Sequence, residues 1–150
     1  MELTVKTFEA LTLHELYGIL RLRTDIFVVE QTCPYPELDG RDEKALHVFL
    51  RDEAGIHACL RILEKGAALE EVALGRLAVR QEKRRQGLAT RILAEGIRLA
   101  QERLGAEHIQ LEAQVYARSL YQQAGFRQIS EEFLEDGIPH ILMELDCANR

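Results

Sequence analysis

The chain has 150 residues, 47% hydrophobic and 29% charged, with a formal net charge of −6. This is length enough for one domain with a real core, and no apolar run approaches the roughly 20 residues that span a bilayer. The acidic balance argues against a non-specific nucleic-acid binder, which needs a basic face to displace counterions.

Residues 1–6 lack the basic and apolar segments of a secretion signal, so a cytoplasmic location is expected. The cysteines, Cys33, Cys59 and Cys147, are odd in number and widely spaced, which argues against a disulfide framework or a zinc site. The histidines (His14, His47, His57, His108, His140) show no H-x-H or H-E-x-x-H spacing, so no metal is expected.

In chain order, residues 3–8 alternate well enough for a first strand at a sheet edge. Thr12-Leu13-His14-Glu15 reads as a capping box opening a helix. That helix is expected to bury Leu13, Leu16, Tyr17 and Leu20, with Ile26 and Phe27 beyond. It must break before Pro34 and Pro36. Residues 33–44 then form a long loop, a candidate lid over an acceptor site. Strands are expected at 45–50 and 56–63 about an Asp52-Glu53-Ala54-Gly55 turn, followed by a central strand at 72–79.

A helix opens near Gly87 with the apolar stripe Leu88, Ile92, Leu93, Ile97, Ala100 and Leu104. Beyond it lie a strand at 108–114, a short helix at 117–124, and strands at 127–135 and 138–145 about Asp136-Gly137. The order reads as a mixed α/β domain, a central mixed sheet flanked by helices.

The turn between the central strand and its helix is Arg84-Arg85-Gln86-Gly87-Leu88-Ala89. A helix N-terminus carries unpaired N–H groups and partial positive charge, which favours an anion. Gly87 lets the backbone approach closely, Ala89 leaves room, and Arg84 and Arg85 add charge. By chemistry this is a pyrophosphate cradle. It is neither a P-loop, since no Gly-Lys-Ser/Thr follows, nor a G-x-G-x-x-G dinucleotide turn.

This turn resembles the Arg/Gln-x-x-Gly-x-Gly/Ala signature of the GNAT superfamily of acyl-CoA-dependent N-acetyltransferases. The segment 119–126, with Leu120, Tyr121, Gly125 and Phe126, resembles that family's Leu-Tyr-x-x-x-Gly-Phe element. Residues 27–35, Asp39-Gly40 and 136–140 are similar to stretches of the ElaA-like group, so the likeness covers nearly the whole chain.

The resemblance implies a GNAT fold, acetyl-CoA as co-substrate and an amine acceptor attacked directly in a ternary complex. It assigns the pyrophosphate to Arg84, Arg85, Gln86, Gly87, Leu88, Ala89 and Thr90. It assigns the pantetheine arm to the backbone of Leu77, Ala78 and Val79, with an N–H near Val79 polarising the thioester. Ser119 is a lesser cofactor contact, and Val115 stands where many members carry asparagine. GNAT proteins often pair, so a homodimer is possible.

Tyr121 is the general-acid candidate, because a phenol with a reference pKa of about 10 can protonate a departing thiolate; the alternative is that it only packs under its helix. Glu30 and Glu112 are the candidate bases for the acceptor, and the residues leave the choice between them open. Glu30, His47, Arg61 and His140 fall in matching segments and are candidate acceptor-pocket residues, with buried structural roles as the alternative. Small amine, polyamine, aminoglycoside, peptide N-terminus and protein lysine all fit as acceptors. The rival readings are a non-catalytic acyl-CoA-binding regulatory module and a purely structural protein whose basic turn binds nothing.

Overall fold

Alternating apolar runs give strands β1 (Glu2–Thr7), β2 (Leu46–Asp52), β3 (Gly55–Leu63), β4 (Val72–Val79), β5 (His108–Gln114), β6 (Arg127–Gln128), β7 (Phe133–Glu135) and β8 (Ile138–Asp146). The α-helices are α1 (Leu13–Arg23), α2 (Leu88–Leu104) and α3 (Arg118–Gln123). A computed structural model describes residues 1–149. The strands make one mixed sheet in the order β1-β2-β3-β4-β5-β8-β6, with β7 also paired to β8. This is the central mixed sheet flanked by helices that the order of elements leads one to expect.

Helix α2 covers one face of the sheet. The stripe read from the sequence is the buried one: Leu88, Ile92, Leu93, Ile97 and Ala100 join Val48, Leu60, Leu74, Leu111 and Ile141 in the main core. Gly96 lets the helix settle close to β3, since a Cβ there would stand 2.3 Å from a Leu60 methyl. Helix α1 covers the opposite face, where Ile19, Leu22 and Ile26 pack on Phe49, Ile56 and Cys59.

The buried face of α1 is not the one expected. Leu13 and Tyr17 are 85% and 71% exposed, while Glu15, Ile19, Leu22 and Arg23 are buried. The capping box does form, Thr12 Oγ1 accepting from the Glu15 N–H at 3.1 Å and Glu15 accepting from the Thr12 N–H at 2.8 Å. But Glu15 also accepts from Lys6 at 2.8 Å and Arg51 at 2.5 Å, tying the helix to β1 and β2. Buried charges with partners fix the rotation of this helix, and they pull the face carrying Ile19 and Leu22 inward.

The helix runs on as a wider π turn over Thr24–Glu30. The strand expected over 127–135 is interrupted instead. Ser130 Oγ accepts from the Leu142 N–H at 2.9 Å, filling a ladder position that a backbone carbonyl would otherwise take, so pairing breaks between β6 and β7.

One pairing decides the architecture of the site. β4 and β5 are parallel, and they register only at Val72 with Ile109 and Ala73 with Gln110. A bulge on β4 slips its register against β3 between Cys59 and Arg61, and there Arg76 takes a left-handed φ of 53°. A bulge bends its strand. Past Ala73 the two strands part.

Candidate active site

Where β4 and β5 separate, a cleft of about 490 Å³ opens through the sheet. Gly75, Arg76 and Leu77 form one wall, Leu111, Glu112 and Gln114 the other, and Tyr121 lines it from the α2 side. The backbone edge of β4 beyond Ala73 has no strand partner on the β5 side. The side chains of Leu77 and Val79 pack against the main core, and Leu77 also lines the cleft.

Beyond the end of β4 at Val79 stands the basic turn. Arg85 and Gly87 adopt left-handed φ values of 64° and 76°, which turn the chain into α2. No side chain caps that helix, whose first backbone bond runs from the Arg91 N–H to the Gly87 carbonyl. The N–H groups of Leu88, Ala89 and Thr90 have no helical acceptor. A Cβ on Gly87 would touch nothing, so glycine is needed there for its φ rather than for space. Gln86 and Thr90 are exposed beside it, and Ser119 is exposed on α3.

Glu30, expected as a base on the acceptor side, lies here instead, outside the cleft lining. Its carboxylate receives Arg84 Nη1 at 2.7 Å and Nη2 at 3.0 Å, while Arg84 Nε donates to the Val79 carbonyl at 3.0 Å. Both carboxylate oxygens of Glu30 are thereby engaged by Arg84. The π turn puts Glu30 at the cradle.

The stretch expected as a lid is a fixed wall. Arg23, 1% exposed, holds Glu37 Oε2 at 2.5 Å and Asp42 Oδ1 at 2.7 Å. Arg61 binds Asp39 at 2.8 Å and Asp42 at 3.1 Å, and Arg76 reaches Glu37 at 2.6 Å and Asp39 at 3.3 Å. Three arginines meet three carboxylates, and Arg41, 3.7 Å from Asp39, adds a fourth cation at the exposed rim. Burial alone would raise Asp39 and Asp42, but the guanidinium bonds outweigh it and hold both well below the usual range. Tyr35 donates to Glu37 at 2.8 Å, and the Arg76 guanidinium sits 5.8 Å from its ring centre.

Two of the expected acceptor residues belong to this framework. Arg61 lines the cleft but is committed to Asp39 and Asp42. His47 is buried behind the cleft, its Nε2 at 2.8 Å from the Asp42 carbonyl oxygen, and burial lowers its pKa. His140 does reach the cleft, with Nδ1 2.7 Å from the Ile138 carbonyl oxygen and its ring stacked on Phe133.

Glu112 also points into the cleft. Its neighbours Leu111 and Ala113 are buried in the core, so the alternation of β5 turns Glu112 the other way. Glu112 is exposed by surface area, yet desolvation within the cleft, and after it neighbouring Glu135, raise its carboxyl above the ordinary carboxylate range, with Arg41 opposing. Tyr121, in edge contact with Phe126 at 6.1 Å, has its phenol pushed up by burial, so it holds its proton.

Sequence reading passed over Glu135, Arg76 and the reciprocal amide pair of Gln31 and Gln114, bonded at 3.2 and 3.1 Å across the cleft. The Asp136-Gly137 hairpin carried the signal for Glu135, since its register sets Glu135 opposite Ile138. For Arg76 and Gln31 no local signal existed, because a bulge and a long-range side-chain pair place them.

The comparisons agree with this geometry. Residues 27–147 match the family model described as an acetyltransferase (GNAT) domain. A UPF0039 protein of Schizosaccharomyces pombe is 37% identical, with 97% of each chain covered. Protein ElaA of Escherichia coli is 33% identical over 89% of this chain and 88% of its own. The crystal structure of an acyl-CoA N-acyltransferase from Pseudomonas aeruginosa superposes with a TM-score of 0.89 at 35% identity, covering 97% of this chain and 99% of that one. An uncapped basic helix start, a split sheet and whole-length kinship thus converge: the chain belongs to the GNAT acetyltransferase family, among the relatives of ElaA.

Proposed function

We propose that this protein is an N-acetyltransferase that moves an acetyl group from acetyl-CoA to a primary amine by direct attack. One observation carries the reading: β4 and β5 part beyond Ala73, so a free strand edge runs from the cleft lined by Glu112 toward the turn that opens the uncapped helix α2. The residues suit acyl-CoA. Orphan N–H groups at Leu88, Ala89 and Thr90, with Arg84 and Arg85, would hold the pyrophosphate. The free edge of β4 at Leu77, Ala78 and Val79 offers backbone groups to the amides of the arm, as an added strand does. Acetyl-CoA brings an activated acyl group on a good leaving sulfur.

Glu112 takes one proton from the acceptor ammonium, which frees the nitrogen lone pair to form the C–N bond as the C–S bond breaks. Tyr121 gives its proton to the departing sulfur, and the second nitrogen proton makes good that loss. One proton leaves per turnover. The thiols of Cys33 and Cys59 suit a reducing, cytoplasmic setting.

Thermal unfolding with and without acetyl-CoA tests the reading. Ligand at about 100 times its dissociation constant should add ~2.7 kcal/mol, roughly 5–10 °C for a domain of this size. Free CoA should shift the melt as well, and amines should release thiol only in the presence of acetyl-CoA. No shift with either ligand would overturn the assignment of the cradle.

A further inference from the structure

The bulge in β4 lies between two registered pairs. Arg61 stands opposite Gly75 and Cys59 opposite Ala78, so Leu60 alone faces both Arg76 and Leu77. One extra residue flips the alternation of the strand. Leu74 ahead of it, and Leu77 and Val79 beyond it, all pack in or against the main core, while Ala78 joins the cluster under α1. Core packing thus demands a bulge here. It does not demand an arginine, because the left-handed φ of 53° at Arg76 is one that glycine adopts freely and other residues rarely do.

What the arginine adds is its side chain. Nε lies 2.6 Å from Glu37 Oε1, and Nη2 donates to the Glu37 carbonyl at 3.2 Å and to Asp39 Oδ2 at 3.3 Å. Glu37 is 4% exposed and is itself gripped by Arg23 of α1, at 2.8 Å from Nε and 2.5 Å from Nη2. The backbone of Arg76 is held as well, its carbonyl accepting from Cys59 Sγ on β3 at 3.6 Å. A chain of contacts therefore runs from α1 through the wall to the bulge. Beyond the bulge β4 keeps β3 as a partner but has lost β5. An edge already fixed in place spares a ligand the cost of ordering it.

We propose that Arg76 is a positioning residue: anchored in the wall through Glu37 and Asp39, its side chain fixes the bulge and with it the open edge at Leu77, Ala78 and Val79. The inference rests on the acyltransferase reading above, which lays the arm of acyl-CoA along that edge. It gives the two sides of the cleft one support. The wall that bounds the acceptor also sets where the cofactor edge stands.

Hydrogen exchange and CoA calorimetry on three variants test this without the natural acceptor. R76G adopts the φ without strain and removes the anchor. Its segment 74–79 should exchange faster than in the wild type while the rest of the core is unchanged. Its dissociation constant for CoA should rise about ten-fold, the equivalent of ordering one residue of backbone on binding. R76K and R76M both keep a strained φ, but only the lysine can pair with Glu37. R76K should recover part of the affinity and of the protection, and R76M neither.

Unchanged CoA affinity in R76G overturns the proposal, whatever the exchange shows, and so does equal behaviour of R76K and R76M. Faster exchange spread evenly over the core would assign Arg76 to stability alone and overturn it too. The wild-type response to CoA keeps the two readings apart. Faster exchange confined to 74–79 of R76G, in a protein that ignores CoA, sinks the acyltransferase reading alone. A wild type that binds CoA, with R76G indistinguishable from it, sinks the anchor alone.

Discussion

Tyr121 and Glu30 carry the sharpest expectations for single side chains. Tyr121 lines the cleft with a phenol that burial keeps protonated. Tyr121→Phe should lower kcat by about 100-fold or more, the range of a general acid, while the dissociation constant for CoA changes little. Stopped turnover with tight CoA binding is the pattern to look for; an unchanged kcat would remove Tyr121 as the acid. Glu30 occupies Arg84 through two short bonds from exposed positions. An exposed ion pair is worth about 0.2–1 kcal/mol, so Glu30→Gln should tighten CoA binding roughly two- to five-fold by freeing the guanidinium. Calorimetry that finds weaker binding would show Glu30 supporting the cradle instead. In the sequence, Arg84 and Tyr121 were legible because turn and helix chemistry place them locally. Glu30 was not, because its position depends on a π turn of which its residues give no sign.

Among the elements, α2 was readable and α1 was not, and the difference is physical. A stripe of Leu, Ile and Ala has one way to be buried. In α1 the apolar residues ring the helix, and paired charge chooses the face. Burial alone would raise Glu15, but hydrogen bonds from Lys6, the Thr12 N–H and Arg51 outweigh it and hold its pKa at about 2. A folded pKa below the unfolded value gives stability that is full above the ordinary value of 4.5 and is lost as pH falls through about 2.

That shift sets a ceiling of about 3 kcal/mol. Lys6 and Arg51 reach Glu15 from partly exposed positions, so Glu15→Gln should cost about 2 kcal/mol at neutral pH. Urea titrations of both proteins should converge as the pH approaches 2. A gap that persists there would assign the loss to packing. The break between β6 and β7 escaped the sequence for a similar reason, since Ser130 acts on a strand that only the fold brings beside it.

Across the whole molecule, the order of secondary elements and the mixed sheet were legible, and the opening in that sheet was not. Apolar alternation marks β4 and β5 as strands but says nothing about where parallel pairing between distant segments ends. The stretch from 33 to 44 likewise read as a candidate lid on length and proline content alone. Its anchors are arginines drawn from α1, β3 and β4, which no local pattern connects. Buried, bonded backbone opens only with the fold around it. Hydrogen exchange should therefore find the amides of Cys33 and Ala45, buried and bonded to the Val28 and Asp42 carbonyls, protected, and adding CoA should change them little. Rapid exchange there, slowed by CoA, would restore a moving lid.

The arginine anchors divide that wall into two kinds of position. Glu37, Asp39 and Asp42 each answer a cation beneath them, and loss of any one strands a buried guanidinium. Cys33 and Pro36 line the cleft just ahead of those anchors, and Arg41 lines it among them. A library that randomises these three and leaves the acids alone would vary the acceptor pocket on an unchanged scaffold. Divergence between related enzymes has the same room to act: new acceptors by substitution between the pins, with neither loop length nor hinge altered.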